Sequence, residues 1–309
     1  MKRAVVLMAV LMAGRALGQE AGSGEAGEAA RAGGGGGRPV TWSVRVPTEL
    51  GFKADLDNSA GSVTVSRVGA ELGVGIPIAT MAQLELGFDY EYSRYEFSNA
   101  TGFVAGVNSP WQDMHRETVK ARFMQQHDMR VAWLVGGSIG LSHEEGADLG
   151  DSIYGSAYGG ATYQVNAKLK IGGVLGLYTR IEDDPWVLIV PIVDWQIDDQ
   201  WRLTNGGRPG LALYYTPDPQ WTLSLSSWFD SRDFRLDDKG PAPGGVARDQ
   251  SMAVQFGATY RATQQITFDV GVGMKLFGNY ELENAAGRRI VEVDVDPSAF
   301  LSISATVRF

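Results

Sequence analysis

The chain has 309 residues, a formal net charge of -9 at pH 7, 40 glycines, 10% aromatic residues and no cysteine. That length holds two ordinary domains or one large all-β unit, and abundant glycine and aromatics favour many strands and turns. An isoelectric point near 4.9 without a Lys/Arg stripe argues against a nucleic-acid partner, and the lack of cysteine removes disulfides and a lipid-bearing thiol.

The chain starts "MKRAVVLMAVLMAGRALGQE": Lys2 and Arg3, an apolar run from Ala4 to Ala13, then the small-x-small triplet Ala16-Leu17-Gly18. This is the layout of a secretory signal peptide over residues 1–18, its apolar run about half as long as a spanning helix needs. Residues 19–38, "QEAGSGEAGEAARAGGGGGR", carry no aromatic or β-branched side chain and read as a flexible leader. Ordered structure is expected from Pro39. No later stretch approaches the apolar length of a transmembrane helix, so a membrane crossing in 39–309 must use strands.

A first strand is expected over 40–52 and a second over 63–76. In "QLELGFDYEYS" the apolar column is Leu84, Leu86, Phe88, Tyr90 and Tyr92, against Glu85, Gly87, Asp89, Glu91 and Ser93. Period-two alternation is a strand with one apolar and one wet face. It recurs over 115–124, in Val131, Trp133, Val135, Ile139 and Leu141, and over 153–164, 169–180 and 186–197. "WRLTNGGRPGLALYY" divides into two strands at Gly206-Gly207, followed by strands over 221–236 and 250–260. Next, Ile266, Phe268, Val270, Val272, Met274 and Leu276 oppose Thr267, Asp269, Gly271, Gly273 and Lys275. From Val291 to Phe309 the odd-numbered residues form one face over about 20 residues, twice what a tilted strand needs to cross a bilayer.

Short connections such as "QQHD", "VNAK", "DDQ", "TPDPQ" and "RATQQ" take turns with longer ones such as "SNATGFVAGVNSPWQD", "HEEGADLGDS" and "DDKGPAPGGVARDQ". A transmembrane barrel produces this alternation, with brief periplasmic turns and longer external loops. Placing the short turns on one side puts outward-facing Phe123, Trp133, Trp195 and Tyr260 near one boundary and Tyr90, Tyr92 and Phe229 toward the other. These positions make two aromatic girdles. The fold expected is an all-β, antiparallel up-and-down transmembrane barrel of about 14 strands, or 12 if the Gly206-Gly207 split is wrong. Such a barrel encloses a modest lumen.

Residues 39–309 resemble bacterial outer-membrane β-barrel proteins, without matching a functional subfamily, and the ending "AFLSISATVRF" is similar to the C-terminal assembly signal of that family. The resemblance implies that Ala299, Leu301, Ile303, Ala305, Val307 and Phe309 are read by the barrel-assembly machinery. It also implies outer-membrane lipid and lipopolysaccharide as surroundings.

Candidate chemistry is sparse. His143-Glu144-Glu145 opens an external loop where a rim hydrolase would place a base, but no catalytic motif surrounds it; His127 falls in a short turn, and His115 at an external rim has no convincing Ser partner. The glycines of "GVGMKLFG" and "GGSIG" do not join a strand to a helix, as a phosphate cradle requires. The acids are more informative: Asp89, Glu91, Glu292, Asp294 and Asp296 are expected at the external mouth of the lumen. Lys120, Arg122, Arg130, Asp194, Asp269 and Arg308 are expected in its throat. An acidic mouth above a mixed throat suits a passive channel or small-solute transporter, with no cofactor and no enzymatic activity expected. The alternative is a non-conducting barrel whose external loops bind a ligand, surface or partner. For a pore, the loop from Asn99 to Asp113, with Phe103 and Trp111, is the best candidate to fold inward.

Overall fold

The computed structural model describes residues 39–57, 61–205 and 210–309. The expected signal peptide (1–18), the leader (19–38) and the Gly206-Gly207 turn lie outside the described residues.

Strand formation follows the alternation. The chain runs through β1 (Thr41–Gly51), β2 (Ala54–Asp55), β3 (Ser62–Ala79), β4 (Ala82–Ser98), β5 (Asp113–Gln126), β6 (Val131–Glu144), β7 (Ile153–Asn166) and β8 (Leu169–Arg180). It continues through β9 (Asp183–Gln196), β10 (Trp201–Thr204), β11 (Gly210–Tyr215), β12 (Trp221–Arg235), β13 (Val246–Arg261), β14 (Ile266–Glu283), β15 (Arg289–Val295) and β16 (Ser298–Arg308). Neighbours in sequence pair antiparallel, and β1 pairs with β16 from Ser43↔Arg308 to Gly51↔Phe300, which closes the sheet. Leaving out β2 and β15, which lie above the ring, the barrel has 14 strands.

The short turns share one device. A side-chain oxygen accepts the backbone N–H groups two and three residues on: Asp128 from Arg130 and Val131, Asn166 from Lys168 and Leu169, Asp198 from Gln200 and Trp201, Asp218 from Gln220 and Trp221. Thr263 does the same for Gln265 and Ile266. Each bond launches the next strand from a turn that side-chain chemistry favours.

The outer wall is apolar between its two ends, with Leu72, Leu86, Val135, Ile189, Leu225, Val270 and Ile303 all exposed. At the short-turn end it carries an aromatic ring that includes Trp42, Trp133, Tyr163, Trp195, Trp201, Trp221, Phe268 and Phe309, with Phe123 against Trp133 and Tyr260 against Trp221. An outward apolar band bounded by aromatics is the pattern of a transmembrane barrel wall. At the other end the upper girdle needs correction. Tyr90 and Tyr92 lie on the outer face, but Phe229 is buried, because the top of β12 turns inward.

A second correction concerns the last 20 residues. The alternation breaks at Asp296-Pro297 into β15 and β16. In β14 the register slips between Leu276 and Asn279, where Phe277 adopts a φ of 52°. Below this bulge the odd-numbered residues of β14 face inward; above it Tyr280 and Leu282 do. Val291 and Val293 pair with Leu282 and Tyr280 and so share the inner face. One inserted residue thus reverses the phase of everything above it.

Candidate functional site

The inner wall is wet at the short-turn end and sealed at the other. In the lower half the lining is polar and small: Ser138 bonds Ser156 at 2.8 Å, Gln255 bonds Ser302 at 2.7 Å, and Asp269 accepts from Thr259 at 2.6 Å and Ser304 at 2.8 Å. Charges there pair across adjacent strands. Arg45 meets Glu71 at 3.1 Å, Lys120 meets Asp89 at 2.7 Å, Arg122 donates to Glu85 at 2.9 Å, and Arg202 and Lys170 hold Asp194 at 2.8 and 3.2 Å. Arg308 ends the inward column of β16.

Higher up, charged side chains meet across the lumen. Arg67 of β3 pairs with Glu49 of β1 and, at 2.6 Å, with Asp249 of β13, whose same oxygen accepts from Tyr95 at 2.7 Å. Arg232 of β12 grips Glu91 of β4 through two bonds of 2.6 and 2.8 Å and also meets Asp230. Lys275 of β14 reaches Glu49 at 2.6 Å. Burial increases along the lumen: the Arg67 and Arg232 side chains are 4% and 7% exposed, Arg122 and Lys120 13% and 19%, and Arg45 and Arg202 31% and 37%. Charges taken out of water require such partners on every side.

Above the charged tier, Tyr95, Phe103, Trp111, Phe234, Leu236, Tyr280 and Leu282 form the largest apolar cluster among the described residues. The loop from Asn99 to Asp113 supplies Phe103 and Trp111, packed edge-on at 5.6 Å between centroids. The tops of β12 and β13 present one face to this cluster. Their other face carries Asp233, Arg235 and Arg248, which bond Arg180 at 3.2 Å, the Asp151 carbonyl at 3.0 Å and the Ile181 carbonyl at 3.1 Å. A bridge from Arg235 to His143 ties β12 to β6. The upper sheet therefore lies across the mouth with both faces covered.

The expected site residues divide accordingly. Asp89, Glu91, Lys120, Arg122, Asp194 and Asp269 face the lumen, but each of these carboxylates is paired with a cation or held by hydroxyls, and the pairing partner Arg232 was not among the residues expected there. Glu292 and Asp294 are corrected to the outer face of β15, opposite the aromatic cluster, where Asn279 donates to both and Arg289 pairs with Glu292. Asp296 sits exposed in the strand break, its N–H on the Asp55 carbonyl. Arg130 is corrected from throat to outer rim: it lies in a short turn and donates to the outward-facing Tyr163 at 3.2 Å. The residues sequence reading missed are Glu49, Arg67, Arg232 and Asp249, whose only sequence signal is a charge in an inward column.

The histidines sit elsewhere. His115 and His143 stack at 5.5 Å on the outer face, His115 bonded to Tyr90 at 3.0 Å and His143 3.5 Å from Glu117. No group of three metal-ligating side chains occurs among the described residues.

No family model and no curated protein sequence matches the chain. Among solved structures it is similar to an outer-membrane channel from Pseudomonas putida F1, with a TM-score of 0.50 and 12% identity over 90% of this chain and 100% of that one. The fold is that of a bacterial outer-membrane β-barrel. Looser likenesses, at TM-scores of 0.48 and 0.45, are a FadL homologue from Pseudomonas aeruginosa and the P. putida toluene transporter TodX. Their identities are 11% and 8%, covering 87% and 88% of this chain and 90% and 91% of theirs.

Proposed function

We propose that this barrel is an outer-membrane channel for small polar solutes, described here with its external mouth closed. The observation that carries the reading is the contrast along the lumen: a wet, charge-compensated lower half beneath a tier of cross-lumen ion pairs. A merely structural interior has no reason to keep pairs such as Arg45 with Glu71 and Arg202 with Asp194 in contact with water at its lower end. Arg67 and Arg232 join strands from opposite sides of the mouth, so they act as the latch.

Conductance in planar bilayers tests this. Wild type should open rarely, and Arg67→Gln with Arg232→Gln should raise the open fraction at least about tenfold if the latch holds the closed state by a typical allosteric coupling. Equal silence from both proteins would favour the second reading, a non-conducting barrel that binds a ligand or surface through its loops. The sealed mouth is the observation in favour of that reading.

The same proposal places the apolar belt against outer-membrane lipid, with lipopolysaccharide around the upper rim, and assigns the column Ala299, Leu301, Ile303, Ala305, Val307 and Phe309 to recognition by the assembly machinery. Phe309 is exposed, and its backbone bonds Trp42 in both directions. Replacing Phe309 with Asp should leave export intact and deplete the barrel from outer membranes. Normal levels there would remove the assembly role.

A further inference from the structure

The external end of β6, from Ser142 to Glu145, holds both of the segments that close the mouth. Ser142 donates to the Asp233 carbonyl at 2.5 Å and the backbone of His143 meets Arg235, so the inward-leaning top of β12 ends on this strand. Glu145 donates its N–H to the Asp113 carbonyl at 3.0 Å, at the foot of the loop that carries Phe103 and Trp111. Glu144 lies between these contacts and takes part in both. One of its carboxylate oxygens accepts the Gln112 N–H and the other the Asp237 N–H, each at 3.2 Å. A single side chain thus ties the inward loop and the β12–β13 connection to the wall.

Its surroundings differ from those of the carboxylates deeper in the mouth. Glu49, Glu91, Asp230 and Asp249 each meet an arginine. Glu144 is half-buried and pairs with no arginine or lysine among the described residues. The charges that act on it, from Asp237 after β12 and Asp113 at the start of β5, are both negative. Burial is the largest influence and pushes its carboxyl above the usual range; the two N–H bonds oppose that shift, and the like charges add to it. Other titratable groups nearby do not follow the mouth. His143 and Glu117 stand 3.5 Å apart on the outer side of β5 and β6, both in the wall, and Glu145, Asp238 and Lys239 are exposed to water.

We propose that Glu144 is a proton-sensitive clasp that holds the mouth more firmly when its carboxyl is protonated than when it is ionised. This regulation rests on the channel reading, in which the two closing segments move away from the wall. Once they leave, Glu144 stands in water beside neither Asp237 nor the inward loop, and its carboxyl returns to the ordinary value. The closed form therefore binds the proton more tightly than the open form, and by linkage acid favours closure. That advantage is complete below the ordinary carboxylate value and is lost as pH rises through the raised one. One linked proton changes the ratio of open to closed by at most about tenfold per pH unit.

The test is hydrogen exchange at the Gln112 and Asp237 amides of the refolded full-length barrel, corrected for intrinsic rates, with open fractions in planar bilayers measured alongside. Between about pH 7 and about pH 5, protection of both amides should rise on acidification by up to about tenfold per unit, and the open fraction should fall in step. Glu144→Gln, which cannot ionise, should flatten both responses. Asp237→Asn keeps the Asp237 N–H but removes the neighbouring carboxylate, so it should move the midpoint of the response to lower pH. Protection that stays constant or falls on acidification, a wild-type response retained by Glu144→Gln, or a midpoint that Asp237→Asn leaves in place would each overturn the clasp. A barrel that conducts with no pH response at either amide removes the clasp alone; pH-dependent protection in a barrel that never conducts keeps the clasp as a lock on the loops and removes the channel.

Discussion

At the scale of single residues, two kinds of close approach shape the lumen. Gly271 lies under the Gln255 amide and Gly273 under the Phe300 ring, so a Cβ at either position would collide with a side chain. The consequences differ because the colliding groups differ. The Gln255 amide is the free end of a flexible chain, whereas Phe300 is 2% exposed and packs against Trp228 at 6.1 Å. Gly273→Leu should therefore destabilise the barrel by about 1–3 kcal/mol, as overpacking does, and Gly271→Ala by less. Urea unfolding of the refolded protein reads both. Burial also ranks the ion pairs. Arg67→Met leaves Glu49 and Asp249 buried without that guanidinium and should cost about 3–5 kcal/mol, whereas Arg45→Met breaks a wet pair with Glu71 and should cost less than about 1 kcal/mol. Similar losses at the two sites would mean that the upper tier is hydrated after all.

At the scale of elements, the turns carry a pH signature. The backbone N–H groups bonded to Asp128 and Asp198 hold both carboxyls below the usual carboxylate range. A lowered folded-state pKa contributes stability that is complete above the unfolded value, near 3.9, and is lost as pH falls through the lower folded value. The double change of Asp128 and Asp198 to Ala should thus lower the melting temperature near neutral pH, with the difference from wild type shrinking as pH falls below the unfolded carboxylate value. A difference constant with pH would mean that the turns are held by something else. These turns were legible in the sequence, as were β4, β6 and the lower half of β14, because local chemistry and period-two alternation decide them. The Phe277 bulge was not. Both sides of it alternate cleanly, and the extra residue is held by a positive φ at a bulky side chain that local preference disfavours. The misplacement of Glu292 and Asp294 follows from that single slip. Phe229 misled for another reason: its parity is outward, but the upper part of β12 leaves the wall, which long-range contacts of Asp233 with Arg180 and of Arg235 with the Asp151 carbonyl reveal. The inward phase of Asp89 and Glu91 was readable, yet the partner of Glu91 lies 141 residues away, beyond any local pattern.

At the scale of the whole molecule, these placements change the expected selectivity. A mouth ringed by free carboxylates would concentrate cations, but Glu91 is bound to Arg232, Asp89 to Lys120, and Glu292 and Asp294 point away from the lumen. Paired opposite charges on adjacent strands present dipoles rather than a net field, and dipolar fields decay faster with distance than those of single charges. Weakening the latch by Arg67→Gln with Arg232→Gln removes two guanidiniums from among Glu49, Glu91, Asp230 and Asp249, so a salt gradient across the bilayer should give a reversal potential of cation-selective sign in that variant. The lower pairs, Arg45 with Glu71 and Arg202 with Asp194, stay compensated and in contact with water and should add little to that sign. Adding Glu292→Gln, Asp294→Asn and Asp296→Asn should leave that potential unchanged, at low salt as well, where screening is weakest and a surface effect would be largest. A strong cation preference that disappears with the triple change would return those three carboxylates to the permeation path and would require β15 to turn its outer face toward the pore when the mouth opens.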